Sequence, residues 1–213
     1  MTPARRRLLV VNPNTSAAVT DWLAAEARRV AVDDFDIVAV NAASGLAAIE
    51  TPEDVDNAGR AVVAEVARRQ ASGAIVAAFG DPGLAAAGAL GRMPVVGLGE
   101  SGIRAAAQGG QRFSIVTLGA AMRGAIEAKV AAMGLGGQLD EVRLLPFSIP
   151  ELIRDRDARC AEIVAAVEAC RDGVVLLGGA PFAGMARHIA PKSGRPVLDG
   201  LAACVAALTL ALR

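Results

Sequence analysis

GAIVAAFGDPG, residues 73–83, is the stretch that decides the fold of this 213-residue chain. Its apolar run is broken by FGDPG and then followed by an alanine-rich segment, which predicts a buried strand, a tight loop and a helix. The pattern returns in GVVLLGGAPFAG, residues 173–184. We therefore predict two similar half-molecules, each with one strand-to-helix loop, and a small-molecule site between the two loops.

Strands alternate with helices along the rest of the chain. The predicted strands cover residues 8–11, 36–40, 74–78, 95–97, 113–117 and 142–145, together with the second organising strand. The predicted helices include residues 17–30, 51–70, 121–133 and 157–170, and residues 146–150 are interpreted as a loop. Alternation of strands rich in Val, Ile and Leu with helices is typical of parallel sheets that are covered on both faces.

The glycines at 109 and 110 mark a plausible boundary between the two halves. We predict an α/β protein of two pseudo-symmetric lobes, each a parallel sheet flanked by helices, with the active site in the cleft between them. The first lobe is assigned residues 1–108 together with 199–213, and the second lobe residues 109–198.

Composition limits the classes of function. The chain has 22 basic and 22 acidic residues, so the basic surplus typical of nucleic-acid binding is absent. The apolar segment 198–212 is too short to span a membrane and favours a buried helix. We expect a soluble, cytoplasmic protein with no nucleic-acid or membrane partner, and its alanine-rich helices favour a homo-oligomer.

Three cysteines, Cys160, Cys170 and Cys204, show neither a disulfide pattern nor a zinc-binding spacing. A single histidine, His188, excludes a histidine-rich metal site. We therefore expect no metal, and we interpret the cysteines as small buried side chains.

The turn NPNTS, residues 12–16, follows the first predicted strand. It places amide and hydroxyl groups and free backbone N–H groups at a strand end, a position that suits a carboxylate or an imide ligand. An ordinary helix-capping turn is the alternative. Asn12 and Thr15 are the candidate ligand contacts in this turn.

Three motifs in this order, NPNTS (12–16), FGDPGL (79–84) and FSIVT (113–117), resemble the aspartate/glutamate/hydantoin racemase superfamily, and most of all its hydantoin and allantoin racemase branch. The resemblance covers nearly the whole chain. It implies a cofactor-independent racemase for an amino acid, hydantoin or allantoin-like substrate. It also implies that one cysteine thiolate removes the proton alpha to a carbonyl, while a facing thiol returns a proton to the opposite face.

Two thiols suit this chemistry because a racemase needs an acid/base group on each face of the stereocentre. A thiolate near a helix N-terminus has a lowered pKa, and backbone N–H groups in the loops can hold the enolate oxygen. The sequence departs from the pattern at both positions. Ala78 and Gly179 stand where the resemblance places the two cysteines.

Three explanations for this departure stay open. The chain carries a cysteine-to-alanine change at position 78, or it is a natural branch with other acids and bases, or it binds a ligand without chemistry. A cofactor-free lyase or isomerase of the same fold, such as a decarboxylase, is a further alternative. The candidate site comprises the two family cysteine positions and the predicted substrate contacts: Ala78, Gly179, Asn12, Thr15, Phe79, Gly80, Thr117, Gly178 and Ala180.

Other polar side chains near strand ends have structural alternatives. Asp81 is either a turn residue or a ligand contact, and Glu100 is either part of a helix start or functional. His188 is interpreted as a surface or packing residue. Asp199 either caps the terminal helix or faces the cleft.

Overall fold

The computed structural model describes residues 5–31, 35–43 and 45–213. The strands in these ranges are β1 (Arg6–Asn12), β2 (Phe35–Asn41), β3 (Gly73–Val76), β4 (Val95–Gly97), β5 (Phe113–Thr117), β6 (Leu139–Leu144), β7 (Val174–Gly178) and β8 (Val197–Leu198). The helices are α1 (Ala17–Ala31), α2 (Pro52–Arg68), α3 (Leu84–Ala89), α4 (Leu98–Ala106), α5 (Arg123–Ala132), α6 (Ile149–Arg154), α7 (Cys160–Glu168), α8 (Ala186–Ser193) and α9 (Leu201–Ala211).

The strands form two four-stranded parallel sheets with the same connectivity. The first sheet has the order β2-β1-β3-β4 and the second has the order β6-β5-β7-β8. The strands of the two organising stretches, β3 and β7, occupy equivalent places in the two sheets. The predicted α/β fold with two pseudo-symmetric lobes is therefore confirmed.

Both faces of the central strands are buried. Residues 8–11 of β1 have at most 1% of their surface exposed, and all five residues of β7 are buried. Helices cover both faces of each sheet, so these strands are continuous apolar runs rather than alternating ones. No helix in the described ranges is long and apolar enough to cross a membrane.

The last helix, α9, packs on the first sheet. Leu201, Cys204 and Leu208 belong to the same buried cluster as Leu8 and Ile75. This packing supports the assignment of residues 199–213 to the first lobe. The exact lobe boundaries stay a prediction, and residues 1–4, 32–34 and 44 of the first-lobe range lie outside the described part of the chain.

Residues 146–154 correct two sequence interpretations. The predicted loop at 146–150 in fact leads into α6, and the helix predicted from residue 157 begins at Cys160. Ser148 accepts a hydrogen bond from the Glu151 N–H at 3.4 Å, and the Glu151 carboxylate accepts one from the Ser148 N–H at 2.8 Å. This reciprocal capping box starts α6, and its Ser-x-x-Glu spacing was the signal that the loop interpretation missed.

Glycine is required where the loop after β3 approaches α2. Gly83 has φ +69°, and a Cβ there would lie 2.5 Å from the Gly59 carbonyl oxygen and 2.9 Å from the Gly59 Cα. Because backbone faces backbone at this contact, neither side can make room by a rotamer change.

Gly83→Ala is expected to lower the free energy of unfolding by about 2–5 kcal/mol. The left-handed conformation costs an alanine about 1–2 kcal/mol. The overpacked contact with Gly59 adds about 1–3 kcal/mol. Urea denaturation followed by circular dichroism measures the loss.

Gly91→Ala is the matched control, because Gly91 has φ +63° and no other atom would lie within 4 Å of the new Cβ. We expect only the conformational cost of about 1–2 kcal/mol. Equal losses in the two variants would show that the contact with α2 is unimportant.

Candidate active site

The loops that follow β3 and β7 meet at one cavity, called here the cleft cavity. It has a volume of about 60 Å³. The lining residues come from both lobes: Asn14, Ile49, Val55, Ala78, Phe79, Gly80, Thr117, Leu118, Met122, Ile126, Ile149 and 178–182. Positions 78 and 179, which come from different lobes, therefore border the same space.

Contact between Phe79 and Gly178 brings the two loops together. A Cβ on Gly178 would lie 3.0 Å from the Phe79 ring and 3.0 Å from the Ile115 side chain. The Phe79 side chain packs with buried second-lobe residues that include Ile115 and Leu176. Glycine at position 178 thus leaves room for an aromatic ring from the other lobe.

Residues of the second lobe likewise pack into the first lobe. Ala180 and Ala183, which follow β7, belong to the buried cluster of the first lobe with Leu8 and Leu23. Each strand-end loop therefore packs into the core of the opposite lobe, and the cleft cavity lies between these two contacts.

Asp81 caps the helix α4, which begins later in the chain. Its Oδ1 accepts a hydrogen bond from the Gly99 N–H at 2.8 Å, and its Oδ2 accepts one from the Glu100 N–H at 2.7 Å. These donors lie in the first turn of α4, whose own N-cap, Gly97, provides no side-chain acceptor. The contacts account for Asp81 as a structural residue, and its side chain does not line the cleft cavity.

Lys129 of α5 forms an ion pair with Asp81, and its Nζ lies 3.5 Å from the Phe79 carbonyl oxygen. The Asp81 side chain is 2% exposed and that of Lys129 is 24% exposed. Burial raises the pKa of Asp81, and Lys129 and the two N–H donors oppose this effect. The pair connects the loop after β3 to a second-lobe helix.

The asparagine turn presents a different residue from the one predicted. The Asn12 amide donates to Asn14 Oδ1 at 2.8 Å, to the Ser16 carbonyl at 3.2 Å and to Thr20 Oγ1 at 3.0 Å. Thr15 Oγ1 donates to the Leu46 carbonyl at 3.3 Å. Asn12 and Thr15 do not line the cleft cavity, whereas Asn14, which sequence reasoning passed over, does.

Asn14 is held in place by its oxygen. Its Oδ1 accepts hydrogen bonds from Asn12 and from the Ser16 N–H at 2.9 Å, which leaves its amide nitrogen available as a donor. Buried Asn12 therefore supports the turn, and its neighbour two residues later faces the cavity.

The other residues predicted to contact substrate, Phe79, Gly80, Thr117, Gly178 and Ala180, line the cleft cavity. Thr117 Oγ1 donates to the Gly178 carbonyl at 2.5 Å, so its lone pairs stay available to a ligand. Among the described residues, the N–H groups of Phe79, Gly80, Gly179 and Ala180 donate to no protein acceptor. All four residues line the cleft cavity, so their N–H groups are candidate donors to a ligand from both loops.

No ionisable side chain lines the cleft cavity in the described part of the chain, since Asn14 and Thr117 are its only polar side chains. Ala78 is 9% exposed. Gly179 has φ +156° and ψ 145°, a conformation that residues with a side chain rarely adopt. The backbone conformation of this loop therefore favours glycine at position 179.

The three cysteines lie elsewhere. Cys204 is fully buried in α9, where burial raises its pKa to about 12. Cys170 is buried beyond the end of α7, and Cys160 is the first residue of that helix. None of the three lines the cleft cavity.

The remaining polar candidates have structural partners or lie apart from the cavity. Asp199 accepts hydrogen bonds from the Gly184 N–H at 2.8 Å and from the Leu201 N–H at 3.3 Å, so it caps α9. His188 is exposed on α8 and lies outside the cavity lining.

Apolar residues form a wall that sequence reasoning missed: Ile49, Val55, Met122, Ile126 and Ile149. They come from five separate places in the chain, and no local motif distinguishes them from core residues.

Lys129→Met is expected to lower the free energy of unfolding by about 2–3 kcal/mol. The substitution leaves the buried Asp81 carboxylate without its counter-ion, which costs about 3–5 kcal/mol in fully buried pairs. Lys129 is partly exposed, so solvent screening reduces the expected loss to the low end of that range or slightly below it. Urea denaturation measures the change.

Arg104→Met provides the comparison, because Arg104 pairs with Glu100 at 2.8 Å on the surface, with side chains 60% and 38% exposed. Such pairs contribute at most about 1 kcal/mol. If both variants lose the same stability, the Asp81–Lys129 pair has no special role in joining the lobes.

Comparison with known proteins gives the family. The model of the Asp/Glu/hydantoin racemase family matches residues 8–208. Hydantoin racemase from Pseudomonas sp. (strain NS671) is 32% identical over 206 residues, covering 93% of this chain and 83% of that protein. Hydantoin racemase from Paenarthrobacter aurescens is 33% identical over 213 residues, covering 96% and 90%.

A solved structure agrees with the sequence comparisons. Allantoin racemase from Pseudomonas fluorescens superimposes with a TM-score of 0.90 at 30% identity, covering 97% of this chain and 91% of that one. Together with the two parallel sheets and the cavity between their strand ends, these matches confirm the resemblance found in the three motifs. The chain belongs to the Asp/Glu/hydantoin racemase family.

Proposed function

We propose that this chain acts on a small, neutral, cyclic carbonyl compound of the hydantoin type, at the carbon alpha to a carbonyl group. The observation that carries the proposal is the cleft cavity, which combines backbone N–H donors from two facing loops with a lining of uncharged side chains. Relatives named as hydantoin and allantoin racemases support this substrate class.

Charge favours a neutral ring over a free amino acid. An amino acid would bring a carboxylate and an ammonium group into the cavity, and burying an ion without a partner costs several kcal/mol. The described lining provides no ionised partner for either group. Hydantoin carbonyls and ring N–H groups need only neutral hydrogen-bonding partners.

Size and polarity narrow the substrate further. The cleft cavity is small, with a volume of about 60 Å³, which disfavours a bulky ring substituent. The apolar wall formed by Ile49, Val55, Met122, Ile126 and Ile149 suits an apolar ring substituent. We therefore favour a compact hydantoin with a small apolar group at the carbon that exchanges its proton.

The contribution of the protein to proton transfer is stabilisation of the enolate. Donors preorganised where charge develops lower the barrier to enolate formation, and we assign this role to the N–H groups of Phe79, Gly80, Gly179 and Ala180. Thr117 and Asn14 supply further hydrogen bonds, and Gly178 lets the loops approach. Asn12 and Thr15 support the turn that carries Asn14.

No thiol lines the described part of the cleft cavity, so proton removal has no cysteine base there. Ala78 and Gly179 mark the two faces of the substrate, and neither residue has a side-chain group that can accept or donate a proton. Water in the cavity is the acid/base partner that this arrangement leaves, and water can return a proton to either face of the enolate.

Proton exchange in deuterium oxide tests the proposal on the native protein. An enantiopure hydantoin with a small apolar substituent is followed by NMR for loss of its alpha proton and by polarimetry for loss of optical rotation. We expect both rates to exceed the buffer blank and to be similar, because water reprotonates either face. Rates equal to the blank for a series of such hydantoins would refute the activity.

Ala78→Cys is expected to raise the rate of alpha-proton exchange by about 100-fold or more, the usual contribution of a positioned general base. Racemisation should rise less than exchange, because the single thiol exchanges the abstracted proton with solvent and then delivers a deuteron to the same face of the enolate. The same deuterium assay, with polarimetry, separates the two rates.

Ala78→Ser is the matched control, because a hydroxyl of similar size is a far weaker base at neutral pH. An equal gain from serine and cysteine would contradict the assignment of position 78 to one face of the substrate. Gly179 is left unchanged in both variants, since its backbone conformation resists a side chain.

Ligand binding without chemistry is the second candidate function, favoured by the lack of an ionisable side chain in the described lining of the cleft cavity. Isothermal titration calorimetry with the same hydantoins distinguishes the two. Saturable binding together with exchange at the blank rate would establish the binding function and exclude the enzymatic one.

We also propose that the protein works as a homo-oligomer in the cytoplasm. Leu210 of α9, which is 71% exposed, lies in a surface groove with Val30, Ala202, Val205 and Ala206, and an apolar surface of this kind supports a contact between copies. All three cysteines are free, which supports a reducing compartment.

A further inference from the structure

A second, larger cavity lies on the other side of the segment that follows β7, and is called here the Trp22 cavity. Its volume is about 540 Å³, and it shares no lining residue with the cleft cavity. It is bordered by α1, by residues 153–157 at the end of α6 and just beyond it, by residues 183–185 and by α8. The proposed function leaves this cavity without a role.

Cationic side chains outnumber the acids that are free to pair with them. Arg154, Arg156, Arg187 and Lys192 line the cavity, together with three acids. Among the described residues, no carboxylate lies within 4 Å of a cationic nitrogen of Arg154, Arg156 or Lys192.

The acids are partly engaged elsewhere. Both oxygens of the buried Glu26 accept from the Arg29 guanidinium, at 2.8 and 2.5 Å, and Arg187 lies 3.9 Å away. Asp155 accepts from the Ala158 N–H at 3.0 Å. The third acid, Asp157, makes no ion pair within 4 Å among the described residues. Three cations without an ion pair, Arg154, Arg156 and Lys192, thus share the cavity with two such carboxylates, Asp155 and Asp157, so positive charge is in excess.

Arg156 is held in a fixed position. Its guanidinium carbon lies 4.1 Å from the centroid of the Trp22 ring, and its Nη2 donates to the Ala183 carbonyl at 2.7 Å. Burial lowers the pKa of Arg156; Asp157 and Asp199 oppose this effect, while the nearby positive charge of Arg187 adds to it. A partly desolvated guanidinium without a carboxylate is preorganised for an incoming oxyanion, because little side-chain freedom is left to lose.

Lys192 places a second cation at the cavity. Its Nζ lies 3.6 Å from Cys160 Sγ, and Cys160 is the first residue of α7. The ammonium group therefore lies beside the positive end of that helix. The charge of Lys192 and the dipole of α7 both favour an anion at this place. An anion here would also relieve the repulsion between Arg156 and Arg187.

We propose that the Trp22 cavity binds a small oxyanion, a carboxylate or a phosphate, with Arg156 and Lys192 as its principal contacts. The aromatic ring of Trp22 gives the site an apolar side, which suits an organic anion. The inference is independent of the reaction assigned to the cleft cavity.

The chain carries its own reporter for this test. Trp22 is the only tryptophan and there is no tyrosine, so fluorescence excited at long wavelength comes from this cavity alone. The native protein is titrated with inorganic phosphate and, separately, with succinate, at ionic strength held constant with chloride. We expect a saturable change in emission with at least one of them. The anion that produces the change shows whether the site takes a phosphate or a carboxylate.

Lys192→Gln is the decisive variant, because Lys192 is exposed and its loss does not disturb the core. We expect its apparent Kd for the responding anion to be about tenfold higher or more, the effect of losing one charge-assisted contact. Arg104→Gln, on the surface outside the cavity, should bind like the native protein.

Isothermal titration calorimetry repeats both titrations, so binding without a fluorescence change is also detected. Absence of saturable binding to either anion by both methods overturns the proposal. An unchanged Kd in Lys192→Gln, or equal weakening in Arg104→Gln, overturns it as well, since the anion would then be bound elsewhere or by general charge.

Discussion

The structure depends on the close contact of Phe79 with Gly178. An aromatic ring at the tip of one parallel sheet can pack into the opposite lobe only where that lobe presents a backbone without a side chain. In the opposite direction, Ala180 and Ala183 of the second lobe pack against the first-lobe core. These exchanges join the lobes through apolar burial, and the Asp81–Lys129 pair adds an electrostatic link beside them. The cleft cavity is the space that remains between the two apolar contacts.

That cavity keeps the scaffold of a racemase while omitting the acid/base groups that the family resemblance implies. Loop residues whose N–H groups have no protein acceptor line the cavity on both sides, and within the described ranges the polar side chains of the lining are limited to Asn14 and Thr117. The two missing thiols differ in a physical way. Ala78 is an ordinary side-chain position, whereas Gly179 adopts a conformation that few side chains tolerate. A single cysteine-to-alanine change at position 78 therefore does not account for the whole site.

Much of this arrangement was predictable from local patterns. The repeated strand–loop–helix motif predicted two equivalent lobes, and both family cysteine positions border the one cavity. Other features depend on residues far apart in sequence. Asn12 and Asn14 are the same residue type two positions apart, and only the hydrogen bonds of Asn12 to Thr20 and Ser16 decide which one faces the ligand. The backbone of Asp81 lies in a turn, yet its side-chain partners lie 18 to 48 positions away.

The sequence by itself determined the fold class, the equivalence of the two halves and the absence of cysteine at positions 78 and 179. These follow from hydrophobic periodicity, from turn chemistry and from residue identity, which are local properties. Tertiary structure alone decided which apolar residues form the cavity wall, which asparagine turns toward it, and that three arginines and a lysine gather around Trp22. The physical reason is that packing and charge pairing act between surfaces brought together by folding, and a linear pattern does not record which surfaces meet.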